Sequence, residues 1–279
     1  MSRARAPVRR ACLAAVLPAL LLAAGAACAA DPAPAAPAGF VALYTPPAND
    51  DYRVYHKELA ARHFLESVAA ELGHVLVLES PVTLSIAECG HSTTRWEPKS
   101  RTVTVCYEFL DAVLVIAGEA APTRERAEQL WSGAVTFALL AEIGRALVTE
   151  FNLRAPRGEL AAGDEFSAIT LASAERSGDA SAAAAVEFFD DALRAPDSGF
   201  EYLETHAFDR ARLETVACIL YGNAPTNHAA SIERGIVPKS RAGHCAEEVV
   251  AAASRWDRDL RKHTRAPVPA VPPAEPHAA

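Results

Sequence analysis

Phe137-Ala138-Leu139-Leu140-Ala141-Glu142-Ile143-Gly144-Arg145-Ala146-Leu147-Val148 is an apolar run broken by two charges three residues apart, Glu142 and Arg145. That spacing puts both charges on one side of a helix. The surrounding pattern predicts a long helix over 123–152, the centre of a helical second half. Downstream, helical spacing recurs over 159–174, 180–194, 209–221 and 241–263. Upstream, a helix is expected at 52–72 and strands at 40–44, 74–78, 82–86 and 101–107, where Val103, Val105 and Tyr107 alternate with Thr102, Thr104 and Cys106. A turn around Glu97-Pro98-Lys99-Ser100 suggests a hairpin. A small, mostly antiparallel sheet in the N-terminal half packed on a helical C-terminal half is an α+β fold.

The chain has 279 residues, 51% of them hydrophobic, enough for one large core. Lys and Arg number 27 against 35 Asp and Glu, and this negative balance excludes nucleic acid as an expected partner. Met1 is the single methionine, which rules out any site that needs a methionine ligand or a Met-turn beneath a metal.

Arg3, Arg5, Arg9 and Arg10 precede an apolar run from Ala11 to about Ala27, followed by small residues. This is the order of a secretory signal peptide over 1–30, too short for a stable membrane span. A Pro/Ala linker over 31–39 leads into a single domain over 40–264, and a tail over 265–279 with five prolines reads as disordered. Loss of the four signal arginines would leave 23 basic residues (27 − 4) against 35 acidic, a net charge of −12. The expected location is the periplasm or the exterior. The alternative is a lipoprotein held through Cys28, the only route by which a membrane would become a partner.

Cys12 and Cys28 leave with the signal in the soluble-export reading, so Cys89, Cys106, Cys218 and Cys245 remain. Four cysteines in an oxidising compartment predict two disulfides, for which three connectivities exist. Pairing Cys89 with Cys106 and Cys218 with Cys245 keeps each bridge within one local stretch, and each would contribute on the order of 3 kcal/mol. A four-cysteine metal site would want shorter spacings.

The frame Ala141-Glu142-Ile143-Gly144-Arg145 has the layout of H-E-x-x-H, in which two imidazoles one turn apart bind zinc and the glutamate acts as general base. Ala141 and Arg145 stand at the two histidine positions. Taken alone, the frame is an amphipathic core helix with a solvated Glu and Arg. Its company says more: Leu43-Tyr44-Thr45-Pro46-Pro47, Ala87-Glu88-Cys89-Gly90, Trp96-Glu97-Pro98, Val103-Thr104-Val105-Cys106-Tyr107-Glu108, Gly163-Asp164-Glu165-Phe166, Ala217-Cys218-Ile219-Leu220-Tyr221-Gly222, and Cys245 with Glu247, Glu248 and Trp256. In order and spacing these resemble a family of secreted bacterial proteins classed as zincin-like metallopeptidases.

The resemblance implies a zincin-like fold, supports the two local disulfides, and implies a zinc site shared by two helices. Glu142 matches the general base, Asp164 matches an acid behind the ligands, and the acidic ligand falls near Glu159 or Leu160. With Ala141 and Arg145 in place of histidines, no metal and no cofactor is expected. Arg145 is expected to replace the metal electrostatically, pairing with Glu142 and with Asp164 or Glu159.

Other clusters offer no substitute chemistry. His56 and His63, near Glu58 and Glu66, read as surface histidines, while His91, His206, His228 and His244 lack close-spaced partners. Asp190-Asp191 and Glu247-Glu248 read as solvated helix ends, and Arg255, Arg258, Arg261, Lys262 and Arg265 as a solvated face. The leading reading is an exported, catalytically inactive member with a peptide- or protein-binding or structural role. The rivals are an active zinc peptidase with an atypical ligand set and an envelope protein with no cleft function.

Overall fold

Runs of Val, Thr and Ile build the sheet, because β-branched side chains fit a pleated, half-buried surface. In the computed structural model, which describes residues 39–174, 176–195 and 199–265, the strands are β1 (Phe40–Tyr44), β2 (Val82–Ala87), β3 (Thr94–Glu97) and β4 (Thr102–Cys106). The segment read as a signal peptide, and almost all of the linker and the Pro-rich tail, lie outside the described residues.

Strand order is β1-β2-β4-β3. β1 pairs parallel with β2 and β2 parallel with β4, while only β3 runs antiparallel to β4. The expected mostly antiparallel sheet is therefore corrected to a mixed one. Two features concealed this. β1 and β2 are joined through helices, α1 (Arg53–Ala61) and α2 (Phe64–Val75), which permits the parallel pairing. The hairpin partner of β4 is β3, whose four residues Thr-Arg-Trp-Glu alternate buried and exposed but are too few to stand out.

The expected helix over 52–72 is two helices, broken where His63 takes a left-handed conformation with φ 51°. The expected strand over 74–78 is the end of α2 followed by a single bridge between Leu76 and Thr264. Of its apolar residues, Leu76 and Leu78 are buried without needing a ladder, while Val77 is exposed.

The remaining helices are α3 (Tyr107–Ala120), α4 (Arg124–Glu150), α5 (Glu159–Ser173), α6 (Arg176–Arg194), α7 (Glu201–Thr205), α8 (Arg210–Asn223), α9 (Ala230–Glu233), α10 (Lys239–Ala242) and α11 (Cys245–Leu260). Thr123 caps α4 by accepting from the Arg126 amide. α4 is long and apolar enough to cross a membrane, but 78% of its most apolar window is buried inside the fold, the setting of a core helix. It packs against α3, α5 and α6 and against the β3–β4 side of the sheet.

Both disulfides form in the expected pairing, Cys89 with Cys106 and Cys218 with Cys245. The first joins the ends of the parallel neighbours β2 and β4 rather than two arms of a hairpin; the second joins α8 to the start of α11. Bridges of this kind belong to chains that mature in an oxidising environment.

Candidate functional site

α4 and α5 approach closely because two glycines face each other. A Cβ on Gly163 would lie 2.3 Å from the Ala141 carbonyl oxygen, and one on Gly144 would lie 2.7 Å from Phe166 Cβ. The same absence of a side chain at Gly163 leaves room for the stem of Arg145. The crossing therefore sets Ala141, Glu142 and Arg145 against the middle of α5.

Glu142 has no solvent exposure. Arg145 Nη1 donates to its Oε2 at 2.7 Å and to its Oε1 at 3.0 Å. His206 Nε2 lies 2.6 Å from Oε1, and the Thr94 hydroxyl donates to the same oxygen at 3.3 Å. Burial alone would raise the Glu142 pKa, but the bond from His206 and the charge of Arg145 outweigh it and hold the carboxyl below its ordinary range. A carboxylate only accepts, so His206 Nε2 carries the proton and donates it.

His206 ends α7 and is fixed from several sides. Its ring stacks on Tyr202 at 4.0 Å between centroids, and its Nδ1 lies 3.0 Å from the Thr205 hydroxyl oxygen and 3.2 Å from the Tyr202 carbonyl oxygen. Its own carbonyl accepts from Arg212 Nη1. Arg212 is placed by Asp209, which caps α8 by accepting from the Arg212 amide at 2.9 Å. The Arg212 guanidinium also donates to Asp164 Oδ2 at 2.7 Å and to the Leu160 carbonyl oxygen at 3.2 Å.

Asp164 is buried and its pKa is raised to about 7: desolvation outweighs the attraction of Arg212, and the charge of Glu142 adds to the rise. Burial, reinforced by Asp164 and Glu142, also raises the Tyr202 hydroxyl pKa. Among the described residues, Arg145 Nε, Asp164 Oδ1 and Tyr202 OH are buried without a partner.

The pairing expected between Arg145 and Glu142 is present. The pairing with the second helix is not: Asp164 belongs to Arg212, and Glu159 is exposed at the start of α5. Nor is Glu142 solvated, as the bare helix reading would have it. A further partner is His206, for which the sequence offered no close-spaced companion. Its neighbours Tyr202 and Thr205 are local, but Glu142 lies 64 residues away, a distance that no short motif spans. Thr94 and Arg212 were missed for the same reason.

The other candidates disperse. His56 Nδ1 lies 3.0 Å from the Tyr107 hydroxyl, and His228 pairs with Asp179 at 2.6 Å. Asp190 is not on a solvated face. It is fully buried and receives Arg194 from its own helix, Arg210 from α8 and Arg234 from just beyond α9. Arg255 also turns inward, to Glu165. Among the described residues, one grouping brings three metal-ligating atoms together: Cys89, Cys106 and Glu108. Its two sulfurs are joined as a disulfide, and Glu108 accepts from the amides of Cys89 and Gly90.

Fold and site define a disulfide-bonded α+β protein whose central helix carries a buried glutamate, Glu142, bonded by Arg145 of the same helix and by His206 at the end of α7. A family model described as "Putative metallopeptidase" matches residues 44–260, and the chain belongs to that family. No curated protein and no solved structure matches it.

Proposed function

We propose that this chain is an exported, non-catalytic member of its metallopeptidase family, in which an ionic lock occupies the place of the catalytic centre. The observation that carries the reading is the engagement of Glu142. Arg145 bonds both of its oxygens, His206 and Thr94 bond Oε1 as well, and its exposure is nil. A general base must reach a water or substrate proton, and a carboxylate fully buried and paired with a guanidinium and an imidazole does not.

The donor set does not suit a divalent cation either. Zinc takes three or four N, S or O ligands. At the two positions flanking the glutamate, Ala141 offers a methyl group and Arg145 a permanent cation. Asp164 is occupied by Arg212.

The enclosure of Glu142 favours a structural role for this centre over a peptide-binding one, since a binding role would want an open apolar cleft beside it. The signal-like N-terminus and the two disulfides support export to the periplasm or the exterior.

The test combines elemental analysis with a cleavage assay. Protein that is demetallated, reloaded with zinc and desalted should retain no stoichiometric zinc, and it should cleave neither casein nor a peptide library. Zinc-dependent turnover abolished by Glu142→Gln would establish the rival reading, an active peptidase with an atypical ligand set.

A further inference from the structure

A shallow, open pocket of about 60 Å³ lies where the α4–α5 loop and α5 face α11. Its walls include Val148, Leu153, Pro156 and Trp256, and its charged lining has three arginines, Arg154, Arg157 and Arg255, against two acids, Glu165 and Asp259. A cationic pocket is unexpected on a chain whose net charge is −8.

The pairing within it is unequal. Glu165 is 2% exposed and must answer two guanidinium groups: Arg157 at 2.7 Å on Oε2, and Arg255 on Oε1, which also accepts from Trp256 Nε1 at 3.0 Å. Asp259 is engaged by Arg258 at 3.2 Å. Arg154 is exposed and, among the described residues, makes no ion pair or side-chain hydrogen bond. The surplus of positive charge is felt locally: the Arg255 pKa is lowered, first by burial and then by the like charge of Arg157.

We propose that this pocket binds a small organic oxyanion, a carboxylate or phosphate head on an apolar body, with Arg154 as the free guanidinium that closes on its oxygens. The planar fork of arginine matches both heads in two-point geometry. Arg157 and Arg255, fixed by Glu165, supply a preorganised positive wall, and Leu153 and Pro156, which keep exposed surface at the pocket, flank the body of the ligand outside it. This site is separate from the Glu142 centre and does not depend on how that centre is read.

Isothermal titration of the wild-type chain at low salt would use phenylacetate, phenyl phosphate, inorganic phosphate and the neutral phenylacetamide. Saturable one-site binding of the two aromatic anions is expected, with phenylacetamide silent and inorganic phosphate weaker. Whichever aromatic anion binds more tightly identifies the preferred head. Arg154→Gln should weaken that binding about tenfold, the loss of one charge-assisted hydrogen bond, and leave the melting temperature unchanged, because Arg154 supports no other residue. Absence of saturable binding, equal binding of phenylacetamide and phenylacetate, or binding indifferent to Arg154→Gln would overturn the proposal.

Discussion

Glu142 is held by three partners of different kinds, a guanidinium, an imidazole and the Thr94 hydroxyl, and each contributes differently. Arg145 is a permanent cation 2.7 Å away with its side chain 21% exposed, so it neutralises a charge that burial alone would forbid. Arg145→Ala strands that charge with one imidazole and one hydroxyl. Breaking a buried pair on one side costs about 3–5 kcal/mol, which in a domain of this size lowers Tm by about 10 °C. Thermal unfolding followed by circular dichroism should show this drop, and the double variant Glu142→Ala/Arg145→Ala should recover part of it. A single variant that melts with the wild type would show that the pair does not hold the fold.

Asp164 gives a pH signature at the same scale. Its folded pKa of about 7 exceeds the ordinary 3.8, so between these values the folded state binds more protons than the unfolded one. The stability associated with protonated Asp164 is therefore complete below about pH 4 and is lost as pH rises through about 7. Asp164→Asn removes that term. Relative to the variant, wild-type Tm should fall as pH is raised from about 4 to about 8; a difference that stays constant or grows with pH would refute the assignment.

At the scale of elements, the α4–α5 crossing decides where the network can exist. Gly163→Ala would drive a methyl group against the Ala141 carbonyl, so one helix must shift. Overpacking of this kind costs about 1–3 kcal/mol. Because the stem of Arg145 passes over the same position, the substitution should also disturb the Glu142–Arg145 pair. Combined with Arg145→Ala, its effect on Tm should be less than additive, whereas strict additivity would place the two effects in separate parts of the structure. The positions of the long helices were legible because each buries a face repeating at 3.6 residues. Strand β3 was not, because Thr94–Glu97 is too short to give a pattern of its own, and the parallel order of β1, β2 and β4 depends on pairings that the strands themselves do not encode.

For the whole molecule, the two disulfides act on different parts. The Cys89–Cys106 bridge closes a separation of 17 residues within the sheet, and Cys218–Cys245 closes 27 residues between α8 and α11. In the loop-entropy account each contributes about 3 kcal/mol. Replacing Cys218 and Cys245 with alanine should therefore lower Tm by about 6–12 °C. A shift of a degree or less in a calorimetric scan would mean that α11 is held by packing alone.

The sequence by itself determined the helical second half, the two local disulfides and the absence of histidines at positions 141 and 145, because each of these is written in neighbouring residues. Only the tertiary structure decided what surrounds Glu142. His206 and Thr94 come from separate elements, and chain folding, not spacing, brings them within hydrogen-bonding reach of Glu142, while Arg212 from a third element holds His206 by its carbonyl. The same holds for Asp190, whose three arginines converge from α6, α8 and the chain beyond α9. A charge in this sequence reads as a surface charge until the fold supplies its partners, because burying an ion is tolerable only where opposite charges and hydrogen bonds arrive with it.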